Sequence, residues 1–360
     1  MKILIVKTSA IGDVIHTLPA LLSLRTHYPD AYIAWLVEEA AADLITGHPA
    51  LNRVLVACRK AWLADLRAGR VLRALREFAR FIRILRDTRY DLVIDFQGLL
   101  KSAIWVFLAR GVRKAGFGRG MEHAEFSYVV LNEPVPAVDM NQHAIERELL
   151  LLNGIGVPAA SIRYDLPVSS EHESEAAALL RASGVGEQDR LVAINPMARW
   201  PTKLWEPTHF AAVADRLEGQ GIRVVFTGGA PDRSSIDEIC RFMTSKSRRL
   251  DGRTSLKTLA AVYRRTQVLL TTDSGPMHLA AAVGTIVVAL FGPTAPWRTG
   301  PYGPNHTVLR AGISCSPCFK KECLTTDFEE RACMTRLSVD QVVRTVLEKV
   351  AAAPIPSSSN

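Results

Sequence analysis

The sequence lacks the long apolar run that a membrane-spanning helix requires. Such a helix needs roughly 18 or more largely apolar residues in a row, and here charged residues, 22% of the chain, interrupt every apolar stretch. We also expect no signal peptide, because the apolar run Ile3 to Val6 is short and meets Lys7 without a small-residue cleavage site. We therefore expect a soluble protein that stays in the cytoplasm.

Cysteines are few, and without an export signal the six that are present are better interpreted as reduced thiols or metal ligands than as a disulfide framework. Four of them form the pattern C-x2-C-x4-C-x9-C. The second spacing departs from the paired C-x2-C pattern of zinc sites, so structural zinc is possible but less favoured than loose loop thiols. We therefore expect no metal cofactor at the four cysteines of this pattern, which are Cys315, Cys318, Cys323 and Cys333.

Acids are scarcer than bases, with 36 Asp and Glu against 44 Lys and Arg, which gives a formal net charge of +8. This excess favours an acidic partner, such as a nucleic acid, an anionic membrane or a phosphorylated substrate.

Between Arg53 and Arg89 there are eleven basic residues and three acids. The one-signed charge favours an anionic membrane or a phosphorylated lipid over a merely solvated helix. A predicted helix here has Arg73, Arg76, Arg80 and Arg83 on one face and Leu72, Leu75, Ala79 and Ile82 on another.

The length of 360 residues predicts two domains, since one hydrophobic core stops growing below this size. Apolar strands alternate with helical stretches on both sides of a linker candidate, Arg163 to Glu173, which predicts parallel sheets whose ligands bind beyond the carboxyl ends of the strands. The predicted divisions are residues 1–166, residues 167–337, and residues 338–360 as a helix followed by a disordered tail from Pro354. The predicted strands are Lys2 to Val6, Ala31 to Val37, Leu92 to Phe96, Leu191 to Ile194, Val224 to Thr227, Val268 to Thr272 and Ile286 to Phe291.

A carboxylate, Asp13, stands between the first predicted strand and a predicted helix from Val14 to Leu24. An acid at this place can cap the helix, because it accepts hydrogen bonds from free backbone N–H groups and complements the helix dipole. It can equally be a catalytic group. The residues alone leave both interpretations open.

Two later turns also follow predicted strands. Thr271 to Ala282 contains a small-residue turn, a proline at an early helical position and an alanine-rich helix, which together present open backbone N–H groups that suit a diphosphate. Simple capping and packing explain each of its polar residues singly but explain all of them together less well. In the other turn, Arg199 and Lys203 can neutralise phosphate charge.

These segments, in this order, resemble the ADP-heptose:lipopolysaccharide heptosyltransferases, and the amino-terminal half is most similar to heptosyltransferase I. The first and the last of the segments are specific when found together. The resemblance rests on KTSAIGDVIHTLPAL (Lys7 to Leu21), AWLVEE (Ala34 to Glu39), RKAW (Arg59 to Trp62), IDFQGLLKSA (Ile94 to Ala103), RWPTKLW (Arg199 to Trp205) and TTDSGPMHLAAA (Thr271 to Ala282).

The resemblance implies a GT-B fold, in which two Rossmann-like α/β domains with parallel sheets face each other across a cleft. It implies an acceptor-binding first domain, a nucleotide-sugar-binding second domain and an inverting transfer that needs no metal. The donor would be ADP-L-glycero-D-manno-heptose and the acceptor the first Kdo sugar of Kdo-lipid A. The enzyme would work as a peripheral protein on the cytoplasmic face of the inner membrane.

The resemblance also assigns roles by matching motifs. Asp13 would be the general base and Lys203 would steady the diphosphate leaving group. Donor-binding positions would be Ala198, Arg199, Lys203, Asp232, Thr254, Asp273, Ser274, Gly275, Pro276 and His278. Acceptor-binding positions would be Lys7, Ser9, Gly12, Arg59, Lys60, Gln97 and Lys101.

Two features depart from heptosyltransferase I. Ala198 and Arg199 stand where that family commonly has two threonines, and the cysteine-rich stretch occurs in other branches, so heptosyltransferase II stays open. A nucleotide-sugar 2-epimerase or a transferase with another donor base is an alternative enzyme. Asp13 and the RKAW segment argue against the epimerase. A basic nucleic-acid-binding protein is the alternative without catalysis, but the chain lacks a nucleic-acid-binding motif with interleaved aromatic residues, and we expect no nucleic-acid partner.

Overall fold

A computed structural model describes residues 1–122 and 125–353. The chain divides into two compact units, Met1–Pro167 and Val168–Asn360. The helix predicted near the carboxyl terminus forms part of the second unit, and the tail predicted to be disordered, from Pro354, lies outside the described residues.

The first unit is built on a six-stranded sheet in which every neighbouring pair is parallel, in the order β3-β2-β1-β4-β5-β6. The three strands predicted here are confirmed to within two residues at each end. The other three were not predicted, because charged residues, glycines or a proline interrupt their apolar pattern. The strands are β1 (Lys2–Val6), β2 (Tyr32–Glu38), β3 (Arg53–Ala57), β4 (Tyr90–Asp95), β5 (Gly111–Phe117) and β6 (Glu133–Val135).

The helices of the first unit cover both faces of this sheet. From β1 the chain proceeds to one edge of the sheet at β3, crosses back to β4 and then proceeds to the other edge at β6. Because the crossovers are right-handed, the helices that connect strands in one direction lie on one face, and those in the other direction lie on the opposite face. The helices are α1 (Ile11–His27), α2 (Glu39–Ile45), α3 (Arg59–Arg67), α4 (Val71–Arg86), α5 (Leu100–Leu108) and α6 (Ala144–Gly154). Accordingly, α1 packs with α2 and α6, whereas α4 packs with α3 and α5.

An aromatic cluster holds the second of these layers together. Trp62 of α3 meets Phe78 and Phe81 of α4 and Trp105 of α5, with ring centroids 5.4 to 6.2 Å apart. Such aromatic contacts add to the free energy gained by burying the rings. The outer helices are therefore fastened to the sheet through large rings on their inner faces.

The face on which α4 packs differs from the apolar face that its sequence suggested. The buried residues are Ala74, Phe81 and Leu85, whereas Leu72 and Leu75 are exposed. The helix carries two apolar stripes at helical spacing, and the sheet covers only the one that bears the aromatic rings. The other stripe stays at the surface beside the arginines.

The second unit contains a five-stranded parallel sheet in the order β11-β10-β9-β7-β8. Four of the strands were predicted, and the short β11 was not. The strands are β7 (Leu191–Asn195), β8 (Arg223–Phe226), β9 (Val268–Thr272), β10 (Ile286–Leu290) and β11 (Thr307–Leu309). The parallel α/β organisation predicted for both halves is thus confirmed.

Eight helices accompany this sheet among the described residues, and the last of them closes the core with a row of buried valines, Val342, Val343, Val346 and Val350. They are α7 (Ser170–Ala182), α8 (Pro207–Gly219), α9 (Arg233–Phe242), α10 (Leu256–Arg264), α11 (Gly275–Ala282), α12 (Pro296–Thr299), α13 (Ala332–Thr335) and α14 (Val339–Ala352). In the part of the chain that the structure describes, no helix is both long and apolar enough to cross a bilayer.

Candidate active site

Each sheet reverses its winding direction at one place, and four of the six sequence motifs lie at the ends of the strands that flank it. In the first unit the reversal lies between β1 and β4, and in the second it lies between β7 and β9. Neighbouring loops leave such a point in opposite directions, which opens a crevice where ligands of open α/β sheets bind. The topology therefore supports two binding regions, one in each unit.

Lys7, at the end of β1, is buried beneath the first of these regions. Its ammonium group donates to Glu148 Oε1 at 2.7 Å and to the carbonyl oxygen of Phe96 at 2.9 Å. Burial alone acts to lower the pKa of Lys7, but the carboxylates of Glu148 and Asp13 outweigh it and raise the pKa, so the lysine stays charged. The ion pair ties α6 to the loop after β1, and direct contact between Lys7 and an acceptor stays a prediction.

Asp13 lies in the first turn of α1 and is half-buried. Its Oδ2 accepts a hydrogen bond from the backbone N–H of Ala10 at 2.7 Å, which is the capping arrangement. Its second carboxylate oxygen is still able to accept a proton. The observed cap is therefore compatible with a catalytic role, which stays a prediction.

The loop after β4 braces the loop after β1. Gln97 Oε1 accepts hydrogen bonds from the backbone N–H groups of Thr8 and Ser9 at 3.2 and 3.1 Å, and the ammonium group of Lys101 donates to Ser9 Oγ. The fold thus brings the predicted acceptor positions Ser9, Gln97 and Lys101 together, although Ser9 is far from the other two in the sequence.

Beneath this loop, the buried carboxylate of Asp95 accepts from the backbone N–H groups of Gln97 and Gly98 and from Ser102 Oγ, at 2.9 to 3.1 Å. Gly98 has a φ of +65°, a conformation that favours glycine at this turn. Burial raises the pKa of Asp95 to about 6, against an ordinary value of 3.8. Asp95 therefore shapes the turn that carries Gln97.

The remaining predicted acceptor residues lie around the same edge. Gly12 is buried in the first turn of α1, and Lys60 is exposed in the first turn of α3. Arg59 Nε donates to Glu38 Oε1 at 2.9 Å, at the carboxyl end of β2. This ion pair ties the RKAW segment to the AWLVEE segment and leaves much of the guanidinium group exposed.

In the second unit, Lys203 and Asp273 come together from the loops after β7 and β9. The Lys203 ammonium donates to Asp273 Oδ2 at 2.6 Å and lies 4.6 Å from the centroid of the Trp200 ring. Thr294 Oγ1 donates to the same carboxylate oxygen at 2.6 Å. Both partners of the ion pair are largely buried, so the lysine is held in place before any ligand arrives.

Beside this pair, α11 begins with the backbone N–H groups that the sequence suggested. Ser274 precedes the helix and is linked through its Oγ to Thr271 Oγ1 at 3.2 Å, while Gly275 and Pro276 form the first turn. His278 is buried further along the helix. A helix start next to a lysine suits a diphosphate, because both supply positive potential.

The other predicted donor positions are spread around the carboxyl edge of the same sheet. Ala198 is half-buried and Arg199 exposed in the loop after β7. Asp232, after β8, caps the next turn by accepting from the backbone N–H of Gly229 at 2.7 Å. Thr254 directly precedes Ser255, the residue that caps α10.

Sequence reasoning missed three residues that contact the motif residues directly, namely Glu148, Asp95 and Thr294. Glu148 follows Lys7 by 141 positions, and Thr294 follows Asp273 by 21. Asp95 belonged to a quoted segment, but its place at the end of a buried strand was the only signal of its role. Long-range pairs of this kind leave no periodic pattern in a single sequence.

The four cysteines of the carboxyl-terminal stretch have free thiols. Burial raises the pKa of the Cys333 thiol to about 11, with further contributions from Cys318, Cys315 and Cys323. Over residues 1–122 and 125–353, no group of three or more His, Cys, Asp or Glu side chains is arranged to hold a metal ion. The metal-free enzyme stays a prediction.

Comparison with known proteins supplies the family. Residues 78–328 match glycosyltransferase family 9 (heptosyltransferase). Lipopolysaccharide heptosyltransferase 1 of Pseudomonas aeruginosa is 34% identical over 98% of this chain and 99% of its own. The structure of E. coli heptosyltransferase WaaC with ADP is 26% identical, has a TM-score of 0.77 and matches 97% of this chain and 100% of its own. The structure of E. coli ADP-heptose lps heptosyltransferase II also has a TM-score of 0.77 and matches 98% of this chain and 99% of its own. Because it is only 22% identical, it supports the fold alone.

The structural likeness over nearly the whole chain confirms the predicted GT-B fold class. The family match favours a transferase over both the epimerase and the nucleic-acid-binding alternatives. The chain belongs to glycosyltransferase family 9, the heptosyltransferase family, and is a glycosyltransferase.

Proposed function

We propose that the protein transfers L-glycero-D-manno-heptose from ADP-heptose to the Kdo sugar of Kdo-lipid A in the lipopolysaccharide inner core. The observation that carries this proposal is the pair formed by Lys203 and Asp273 beside the start of α11. A WaaC structure contains ADP, and a second contains ADP-2-deoxy-2-fluoro heptose. The curated relatives named heptosyltransferase 1 support the first transfer of the pathway over the second.

The donor diphosphate would lie between the Lys203 ammonium and the backbone N–H groups of α11. Negative charge grows on the diphosphate as the bond to the anomeric carbon breaks, and a cation already fixed in place stabilises that charge most in the transition state. Lys203 thus supplies the positive charge that a metal supplies in other transferases. The enzyme is proposed to need no metal, and metal analysis of active protein tests this point.

The acceptor would bind to the first unit, with its hydroxyl group near Asp13. A sugar hydroxyl becomes a good nucleophile when its proton is removed as the new bond forms. Asp13 would take that proton through the carboxylate oxygen that does not cap α1. Attack from the side opposite the diphosphate inverts the configuration at the anomeric carbon.

The acceptor is anionic and lipid-linked, so the enzyme would work as a peripheral protein on the cytoplasmic face of the inner membrane. The excess of arginine in α4 supports this location, because basic residues near an anionic surface are attracted to it.

The decisive experiment incubates the pure protein with ADP-heptose and Kdo-lipid A. We expect one heptose mass to be added to the acceptor and NMR to show the inverted anomer. Kdo-lipid A that already carries one heptose is the control acceptor. Preferred use of that control would assign the protein to heptosyltransferase II, and no transfer to either acceptor would refute the proposal.

A further inference from the structure

Helix α5 turns a row of large apolar side chains toward the solvent. It buries Ser102, Ala103, Trp105 and Val106 against the sheet and its neighbours. On the opposite side, Leu100, Ile104 and Phe107 follow one another at helical spacing and are 56%, 51% and 68% exposed. A helix of a soluble domain normally presents polar residues on this side.

The neighbouring helix α4 extends this apolar row and adds charge to it. Leu72 and Leu75 are 85% and 56% exposed on the side opposite the aromatic cluster. The same side carries Arg76 and Arg83 at helical spacing from Leu72. Among the described residues, neither arginine has a carboxylate partner. The outer surface of α4 and α5 thus combines exposed apolar side chains with unpaired positive charge.

A third element lengthens the surface. The 3₁₀ turn Ser127–Val130 packs against α5, and both Val129 in the turn and Phe126 before it are exposed. Three elements in contact through α5 therefore each expose apolar side chains, whereas exposed apolar residues on a monomer are usually scattered.

At one end of the surface, a cavity of about 400 Å³ is lined by three arginines. Arg86 ends α4, Arg89 follows it, and Arg110 follows α5, while exposed Phe107 completes the rim. None of the three guanidinium groups forms an ion pair within the described ranges. Three like charges around one cavity repel each other, so the cavity favours an anion, and guanidinium groups match the oxygen geometry of a phosphate.

We propose that the outer surface of α4 and α5 docks onto an anionic phospholipid bilayer, with Leu72, Ile104 and Phe107 entering the boundary between headgroups and acyl chains and a lipid headgroup phosphate bound in the arginine cavity. Exposed apolar residues between basic ones are the pattern of helices that lie in the plane of a membrane surface. The arginines supply charge complementarity to anionic lipid, and Phe107 belongs to both the apolar row and the rim of the cavity.

This inference rests on the membrane location given under the proposed function. Its test measures vesicle binding and does not depend on heptose transfer. The intact protein is sedimented with phosphatidylcholine vesicles that contain or lack phosphatidylglycerol. We expect binding only with phosphatidylglycerol, and binding that weakens as salt is added, because salt screens the attraction.

The first variant combines Arg86→Gln, Arg89→Gln and Arg110→Gln. Since each basic residue near an anionic surface contributes about 1 kcal/mol, or roughly five-fold in affinity, we expect binding to phosphatidylglycerol vesicles to fall about a hundred-fold at low salt. The matched control removes three exposed arginines of the second unit, Arg190→Gln, Arg241→Gln and Arg344→Gln. An equal loss in both variants would show that only net charge matters and would overturn the proposal.

The second variant combines Ile104→Gln and Phe107→Gln, which are exposed positions where glutamine keeps the helix. We expect vesicle binding to fall at least ten-fold, because both side chains lose their burial in the lipid. Phe242→Gln with Leu324→Gln, at exposed positions of the second unit, is the matched control. Binding equal to that of the parent would mean that these side chains do not enter the bilayer, which would overturn the proposal.

Two further measurements separate this proposal from its alternatives. In the first, calorimetry measures the binding of inorganic phosphate to the parent and to the arginine variant. If the variant no longer bound phosphate but bound vesicles as well as the parent does, the cavity would be a site for a soluble anion, and the proposal would be wrong. Turnover with an acceptor that lacks acyl chains should be unchanged in both variants. A parent protein that binds vesicles but transfers no heptose would refute the proposed function and leave the docking surface standing.

Discussion

The two candidate binding regions occupy the same topological position in the two units but differ in which charge they present. In the first unit, Lys7 is buried and paired with Glu148, while the carboxylate of Asp13 is half-buried in the first turn of α1. In the second unit, the ammonium group of Lys203 lies against the Trp200 ring and is held by Asp273. The first arrangement suits a proton acceptor, and the second suits a developing anion.

The difference indicates how one architecture would support the two tasks proposed for it. A parallel sheet fixes only where the loops meet, at the point where the strand order reverses. Which charged group each region presents depends on the partner with which that group is paired. In both units the second partner comes from a distant segment, so the chemistry of each site is set by a tertiary contact. Four predictions test this comparison.

The largest expected effect is that of Asp13→Asn. Asparagine keeps an oxygen that accepts the hydrogen bond from Ala10, so the cap survives, but it does not accept the proton of a sugar hydroxyl. A positioned base typically contributes ~10² to 10⁴ in rate. We expect kcat for heptose transfer to fall by that factor, while calorimetry shows unchanged ADP binding and the melting temperature stays near that of the parent.

The matched control is Asp30→Asn, the same change at an exposed position of the first unit. It should leave kcat unchanged. Turnover of the Asp13→Asn enzyme within a few-fold of the parent would leave Asp13 only its capping role and would remove the contrast between the two units.

Asp95 gives the first unit a pH dependence of stability. Burial raises the pKa of Asp95 to about 6 from 3.8, so between these values the folded chain holds a proton that the unfolded chain has released. Stability from this group is therefore lost as pH rises from about 4 to about 6, by on the order of 3 kcal/mol. Asp95→Asn removes this titration. The melting temperature of the parent minus that of the variant should fall across this window, and a constant difference would contradict the shift.

Lys203→Ala tests the second unit. It removes the cation proposed to stabilise the leaving group, and a hydrogen-bonded charge of this kind is worth about 1.5 to 3 kcal/mol, or roughly 10- to 100-fold. We expect kcat/KM for ADP-heptose to fall by that factor, with part of the loss in kcat. Lys246→Ala, at an exposed position of the same unit, is the control. An unchanged kcat/KM would exclude Lys203 from the donor site.

The smallest effect is expected from Thr294→Val. Valine keeps the shape of threonine but loses the hydroxyl that donates to Asp273, so the ion pair with Lys203 becomes less well oriented. One such hydrogen bond is worth about 0.5 to 1.5 kcal/mol, and we expect a two- to ten-fold loss in kcat/KM for ADP-heptose. Thr294→Ser should restore it. If serine did not restore activity, the effect would come from packing in the second unit.

The sequence by itself determined the class of fold and the turns where the chemistry is proposed to occur. Strands such as Leu191–Asn195 and Val268–Thr272 were predictable because strands covered on both faces are largely apolar, and in these two only the last residues are polar. The motifs were predictable as turns because proline, glycine and small polar residues gather there. The strand β5 was not, because Arg113, Lys114 and its glycines break the apolar pattern near the edge of the sheet.

Only the tertiary structure decided which partners and which faces are used. Helix α4 carries two apolar stripes, and periodicity alone gives no reason to choose between Leu72 and Phe81 as the buried residue. The choice falls on the stripe whose rings meet Trp62 and Trp105, because packing large aromatic side chains removes the most apolar area from water. Lys7 is a second example. Its buried charge needs a carboxylate partner, and Glu148 supplies that carboxylate from a helix far along the chain. The residues next to Lys7 in the sequence give no sign of this partner.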